Sequence, residues 1–139
     1  MKILALDPGD VHTGTALTDE ALILASPFKT VKTEELDNFL TQLFFQENIE
    51  KVVIGMPKTL GGKISQQTEK VEKLKKELEK KFPEKIWISW DERLTSKSAT
   101  QIQKQNKSVN KNQVHSLAAA IILESYLEKL RFQASIDED

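Results

Sequence analysis

The chain has 139 residues, 39% hydrophobic and 29% charged, with a formal net charge of −1, a balance that suits one soluble domain with a proper core. It has no cysteine, which excludes a disulfide framework, a thiol nucleophile and a thiolate metal site. Neither a signal-peptide core nor an apolar run long enough for a bilayer is present, so the cytoplasm is the default expectation.

The first element is Lys2-Ile3-Leu4-Ala5-Leu6-Asp7-Pro8-Gly9. Its unbroken apolar run reads as a strand buried on both faces, and Pro-Gly must end it. Asp7 therefore closes a central strand. His12 to Thr18 reads as a second strand, hairpin-paired to the first. A third strand is expected over residues 21–31, broken at Ser26-Pro27, after which Thr33 would cap a helix. Leu36, Phe39, Leu40, Leu43 and Phe44 mark one face of that helix. Lys51 to Met56 is a fourth, buried strand stopped by Pro57. A loop with Lys58, Gly61, Gly62 and Lys63 follows.

Ser65 to Phe82 is a long helix with Val71, Leu74 and Leu78 inward, ended by Pro83. Ile86 to Trp90 is a fifth strand running into Asp91-Glu92-Arg93. Trp87 and Trp90 point to opposite faces of it, so one belongs to the core and neither argues for base stacking. Ser96 to about Gln105 is a short polar helix, and a lysine-rich loop reaches Asn112. The last helix is expected from Val114 to Leu130, with an apolar stripe at Val114, Leu117, Ala118, Ile121 and Leu130. Residues 1–131 form a single domain and 132–139 an acidic tail. The order predicts an α/β fold: a five-stranded mixed sheet flanked by helices, its parallel core joined by right-handed crossovers.

From Arg93 through Leu123 there is no Asp or Glu, while Arg93, Lys97, Lys104, Lys107 and Lys111 lie there. Such a face can touch phosphates although the whole chain is near neutral; it also reads as a solvated lysine-rich surface. Parallel strands put their carboxyl ends on one rim, where ligands of open α/β sheets bind. Asp7, the Gly61-Gly62 loop and Asp91-Glu92 all reach that rim. Singly, each has an ordinary reading as a turn, a flexible loop or a helix cap. Together they deliver carboxylates that a divalent cation would neutralise, and Mg²⁺ or Mn²⁺ suits oxygen ligands. Asp19 follows an antiparallel strand and is expected on the opposite rim in a structural role.

Asp7-Pro8-Gly9 with Gly14 and Asp19, Val53-Ile54-Gly55-Met56-Pro57, Asp91-Glu92-Arg93-Leu94-Thr95-Ser96, and Ala118-Ala119 in the last helix resemble the YqgF (RuvX) family. Its members are provisionally assigned as pre-16S ribosomal RNA nucleases and are also called Holliday-junction-resolvase-like. The resemblance runs from Lys2 to Leu130. It implies a ribonuclease H-like fold and metal-dependent cleavage of structured nucleic acid, tied to maturation of the 5′ end of small-subunit ribosomal RNA. Asp7 matches the family's first acid and Glu92 its second. His115 stands where the third acid is usual, and Asp10 where a basic residue is usual.

The expected activity is therefore a nuclease with Asp7, Glu92 and His115 as catalytic and metal residues on Mg²⁺ or Mn²⁺. Arg93, Lys97 and Lys104 would contact the nucleic-acid backbone, with Lys58 and Lys63 steering it. Partners would be structured RNA or branched DNA and ribosome precursors, with no membrane, and the chain a monomer or weak homodimer. His115 is expected at the rim, in the first turn of the last helix, pointing toward Asp7 and Glu92. Imidazole in place of a carboxylate should favour Mn²⁺ over Mg²⁺, and binding should fail in mild acid because imidazolium cannot coordinate. A Holliday junction resolvase is the alternative enzyme, and it requires a dimer. A non-catalytic RNA-binding assembly factor is the alternative outside enzymes. An actin-like ATPase would need two such domains, and this chain has length for one.

Overall fold

The computed structural model describes residues 1–57, 65–91 and 113–137. Its strands are β1 (Lys2–Pro8), β2 (His12–Thr18), β3 (Ala25–Lys32), β4 (Ile49–Met56) and β5 (Ile86–Asp91). Its helices are α1 (Leu36–Gln46), α2 (Gln66–Lys81) and α3 (Val114–Asp137). The sheet order is β3-β2-β1-β4-β5. β2 is antiparallel to both β1 and β3, whereas β4 is parallel to β1 and β5 to β4. β1 is thus the middle strand, which is why Ile3 through Leu6 are buried on both faces.

Alternation along β1 separates two cores. Leu4 and Leu6 meet Leu36, Leu40, Leu43, Val71, Leu78 and Phe82 on the α1/α2 face. Ile3 and Ala5 meet Ala119, Ala120, Leu123, Tyr126 and Trp90 on the α3 face. The first face is rich in Leu, and the second mixes four buried Ala with larger residues such as Trp90 and Tyr126. Trp90 is the buried tryptophan, edge-on to Tyr126 at 5.6 Å. Trp87 lies on the other face and donates its Nε1–H to the Phe82 carbonyl.

Four details differ from the sequence reading. β3 begins at Ala25, because residues 19–24 form a turn around Asp19. The Asp19 carboxylate accepts the N–H groups of Ile23 at 2.8 Å and Leu24 at 2.9 Å, and Leu22 takes φ 58°. Pro27 does not break β3, since an edge strand can spare one N–H; the ladder shifts locally between Gly14 and Ala16. Thr33 does not cap α1. It opens a 3₁₀ turn, Thr33–Glu35, with its hydroxyl turned to the β1–β2 turn. Finally, α3 runs past Leu130 to Asp137, through a sequence with no Gly or Pro to stop it.

The buried face of α3 is also rotated from the expected stripe. Val114 is 52% exposed, whereas Ser116, Ala119, Ala120, Leu123, Tyr126 and Leu127 are buried. Leu117 is buried and Leu130 packs against the core as expected, while Val114 turns outward and Ala119 and Ala120 join the docking line. The helix expected over Ser65 to Phe82 is there as Gln66–Lys81, with Ser65 as its N-cap accepting the Thr68 N–H and Phe82 as its C-cap. Among the described residues no helix is long and apolar enough to cross a membrane.

Candidate active site

Asp7 lies near the carboxyl end of β1, half-buried. Alternation from Ile3 and Ala5 puts it on the α3 face. Its ladder partner on β2 is Gly14. Gly14 has no side chain because none fits: a Cβ there would stand 1.9 Å from the His115 carbonyl oxygen and 2.7 Å from the Ser116 nitrogen. The first turn of α3 therefore rests directly on the strand beside Asp7. Adjacent strands are about 4.8 Å apart, so the backbones of Asp7 and His115 share one corner of the sheet.

His115 is half-buried in that first turn. Its ring stacks on the ring of His12, with centroids 5.7 Å apart and planes at 25°. His12 begins β2, two positions before Gly14 and hence on the same face, and is exposed. The sequence reading passed over it; the period-two spacing from Gly14 was the one available signal.

The turn between β1 and β2 is tightly held. Gly9 N–H donates to the His12 carbonyl at 2.9 Å, and a Cβ on Gly9 would be 2.6 Å from that oxygen. Thr33 N–H donates to the Val11 carbonyl at 2.8 Å, and Thr33 Oγ1 donates to the Gly9 carbonyl at 2.7 Å. Thr13 Oγ1 lies 2.9 Å from Thr33 Oγ1. Asp10, at the exposed tip, pairs with Lys70 of α2 at 3.4 Å. That pair borders a groove of about 130 Å³ lined by Pro8, Gly9, Thr33 and Val71.

At the next strand ends, Thr68 Oγ1 donates to the Pro57 carbonyl at 2.6 Å, tying the start of α2 to the end of β4. Asp91 closes β5 opposite Met56. Since Val53 and Trp90 belong to the α3 face, alternation puts Met56 and Asp91 on the α1/α2 face. Glu92, Arg93, Lys97, Lys104, Lys58 and Lys63 lie outside the described residues. Asp19 sits at the opposite end of β2. The N–H of Leu24 above all, then that of Ile23, holds its carboxyl below the usual carboxylate range.

Among the described residues no three His, Cys, Asp or Glu side chains gather as a metal site. The backbones of Asp7 and His115 meet at this corner, and carboxylate and imidazole are donor types that suit a divalent cation such as Mn²⁺.

A family profile described as RuvX: Holliday junction resolvase matches residues 1–129. A protein of Rubrobacter xylanophilus is 37% identical over 128 residues, spanning 91% of this chain and 92% of its own. One of Christiangramia forsetii is 41% identical over 131 residues, spanning 91% and 97%. Both are provisionally named pre-16S rRNA nucleases. Among solved structures, T. thermophilus RuvC in complex with a Holliday junction substrate gives a TM-score of 0.65 at 14% identity, covering 95% of this chain and 96% of that one. The Fowlpox virus resolvase with Holliday junction DNA gives 0.58 at 16% identity, covering 94% and 99%. The fold is therefore the ribonuclease H-like fold of these resolvases. With residues 1–129 matched and curated relatives at 37% and 41% identity, the chain belongs to the RuvX family of nucleases.

Proposed function

We propose that the chain is a cytoplasmic, metal-dependent endonuclease that cuts structured RNA in the 5′-end maturation of pre-16S rRNA. One observation carries the reading. Gly14 lets the first turn of α3 sit on the strand that pairs with Asp7, so the backbones of Asp7 and His115, from opposite ends of the chain, come to one corner. The names of the curated relatives support the RNA substrate.

In this reading Asp7, Glu92 and His115 hold Mg²⁺ or Mn²⁺. The cation, when bound, would supply activation of water and neutralisation of charge at the phosphodiester. Asp7 contributes the negative charge that attracts it, and His115 a nitrogen that favours Mn²⁺. Arg93, Lys97 and Lys104 contact the nucleic-acid backbone, and Lys58 and Lys63 steer it toward the rim. Purified protein incubated with precursor rRNA and Mn²⁺ should cleave it, and Asp7→Asn should lose the activity. No cleavage, or cleavage indifferent to Asp7→Asn, would sink the proposal.

Holliday junction cleavage is the second reading, favoured by the family description and by the resemblance to resolvase folds. It requires two symmetric sites and hence a dimer. A monomer by light scattering that still cuts RNA would decide against it.

A further inference from the structure

We propose that His12 is a positioning residue for His115, restricting the rotation of its imidazole through ring contact. The inference rests on the reading of His115 as a metal ligand given above.

Two backbones are already fixed there. On the β2 side, the Gly9–His12 turn is clamped by the Gly9 N–H and by both the amide and the hydroxyl of Thr33. On the α3 side, the His115 carbonyl rests on Gly14, with no room for even one added carbon. What those contacts leave undetermined is the rotation of the His115 side chain. The His12 ring, 5.7 Å away and tilted by 25°, meets it.

A half-buried ligand that is already oriented loses less rotamer freedom when it binds, and binding sites depend on such supporting contacts. His12 is exposed, so core filling does not explain the pair. Shared coordination would need the His12 nitrogen itself, which distinguishes it from a role played through ring contact alone. The ring pair assigns His12 to orientation, acting through His115.

The test is Mn²⁺ affinity of the full chain, read by calorimetry and by the electron-spin-resonance signal of free Mn²⁺, neither of which needs turnover. His12→Ala should weaken binding about 3- to 10-fold, the range of an aromatic pair contact. His12→Phe keeps a ring but no nitrogen and should restore affinity to within about twofold. In a His115→Ala background, His12→Ala should change nothing further. Wild-type affinity in His12→Ala, with affinity lost in His115→Ala, would overturn the positioning role and leave the ligand reading intact. Failure of His12→Phe to restore binding would overturn it too, since the nitrogen itself would then matter. Unchanged affinity in His115→Ala would instead defeat the ligand reading, and the inference with it.

Discussion

Adding one methyl group at position 14 tests how closely α3 must sit on the sheet. A Cβ there would stand 1.9 Å from the His115 oxygen, 2.1 Å from its carbonyl carbon and 2.7 Å from the Ser116 nitrogen, all backbone atoms that cannot swing aside. To restore even the 3.0 Å that real Cβ contacts keep, the helix start must retreat by about 1.1 Å. Overpacking of this kind costs about 1–3 kcal/mol, which for a chain of this length lowers Tm by about 3–9 °C. The larger effect should be on the site, where a displacement of about 1 Å can cost about 100-fold in rate. Calorimetry and RNA cleavage on Gly14→Ala, assayed well below its Tm, measure both. A variant that melts and cuts like the wild type would refute the seating of α3 on Gly14 and the corner built from it.

Thr33→Val keeps the shape of the side chain but removes the hydroxyl that serves the Gly9 carbonyl and Thr13; urea unfolding should show a loss of about 1 kcal/mol, because two half-buried hydrogen bonds are lost. Asp19 has a folded pKa below its ordinary value, so its contribution to stability is complete above the ordinary carboxylate range and is lost as pH falls through the lowered folded value. Stability of the wild type should therefore drop in acid more than that of Asp19→Asn, and parallel acid titrations would disprove this. His115→Asp restores an oxygen ligand and a negative charge, so the ratio of Mn²⁺- to Mg²⁺-supported cleavage should fall; an unchanged ratio would remove His115 from the ligand set.

The central strand was legible because an apolar run ending in Asp-Pro-Gly has few other readings, and the crossovers then followed from the alternation of strands and helices. The β3 boundary was not, because the signal at Ser26-Pro27 is a breaker in a central strand but tolerable on an edge, and only the sheet order reveals the edge. Thr33 has the chemistry of a cap, yet the hairpin turn brings the Gly9 carbonyl to it from far along the chain. The α3 stripe was misread for a similar reason. Leu117 and Leu130 were placed correctly, but Val114 and Ile121 drew the stripe to one side of the line through Ala119 and Ala120 that packs on the sheet. His12 carried almost no local signal, since one exposed His at a strand start fits many roles. Its meaning comes from His115, a contact no periodicity encodes.

The unequal faces of the sheet follow from what each must do. Leu4, Leu6, Leu36, Leu40 and Leu43 fill the α1/α2 side with branched bulk, which stabilises the fold and keeps the helices at ordinary distance. Ala5, Ala16, Ala119 and Ala120 line the other side, where each contact buries less apolar area. Small residues there are poor stabilisers, so stability alone gives no reason to choose them. They allow a helix backbone to approach a strand backbone closely, as it does at Gly14. The line of small residues thus trades hydrophobic burial for proximity, and the proximity falls at the strand end that carries Asp7. A larger residue along that line would tilt or lift α3 and move residue 115 away from the acid, whereas overpacking among the leucines would strain the α1/α2 core on the other side of the sheet.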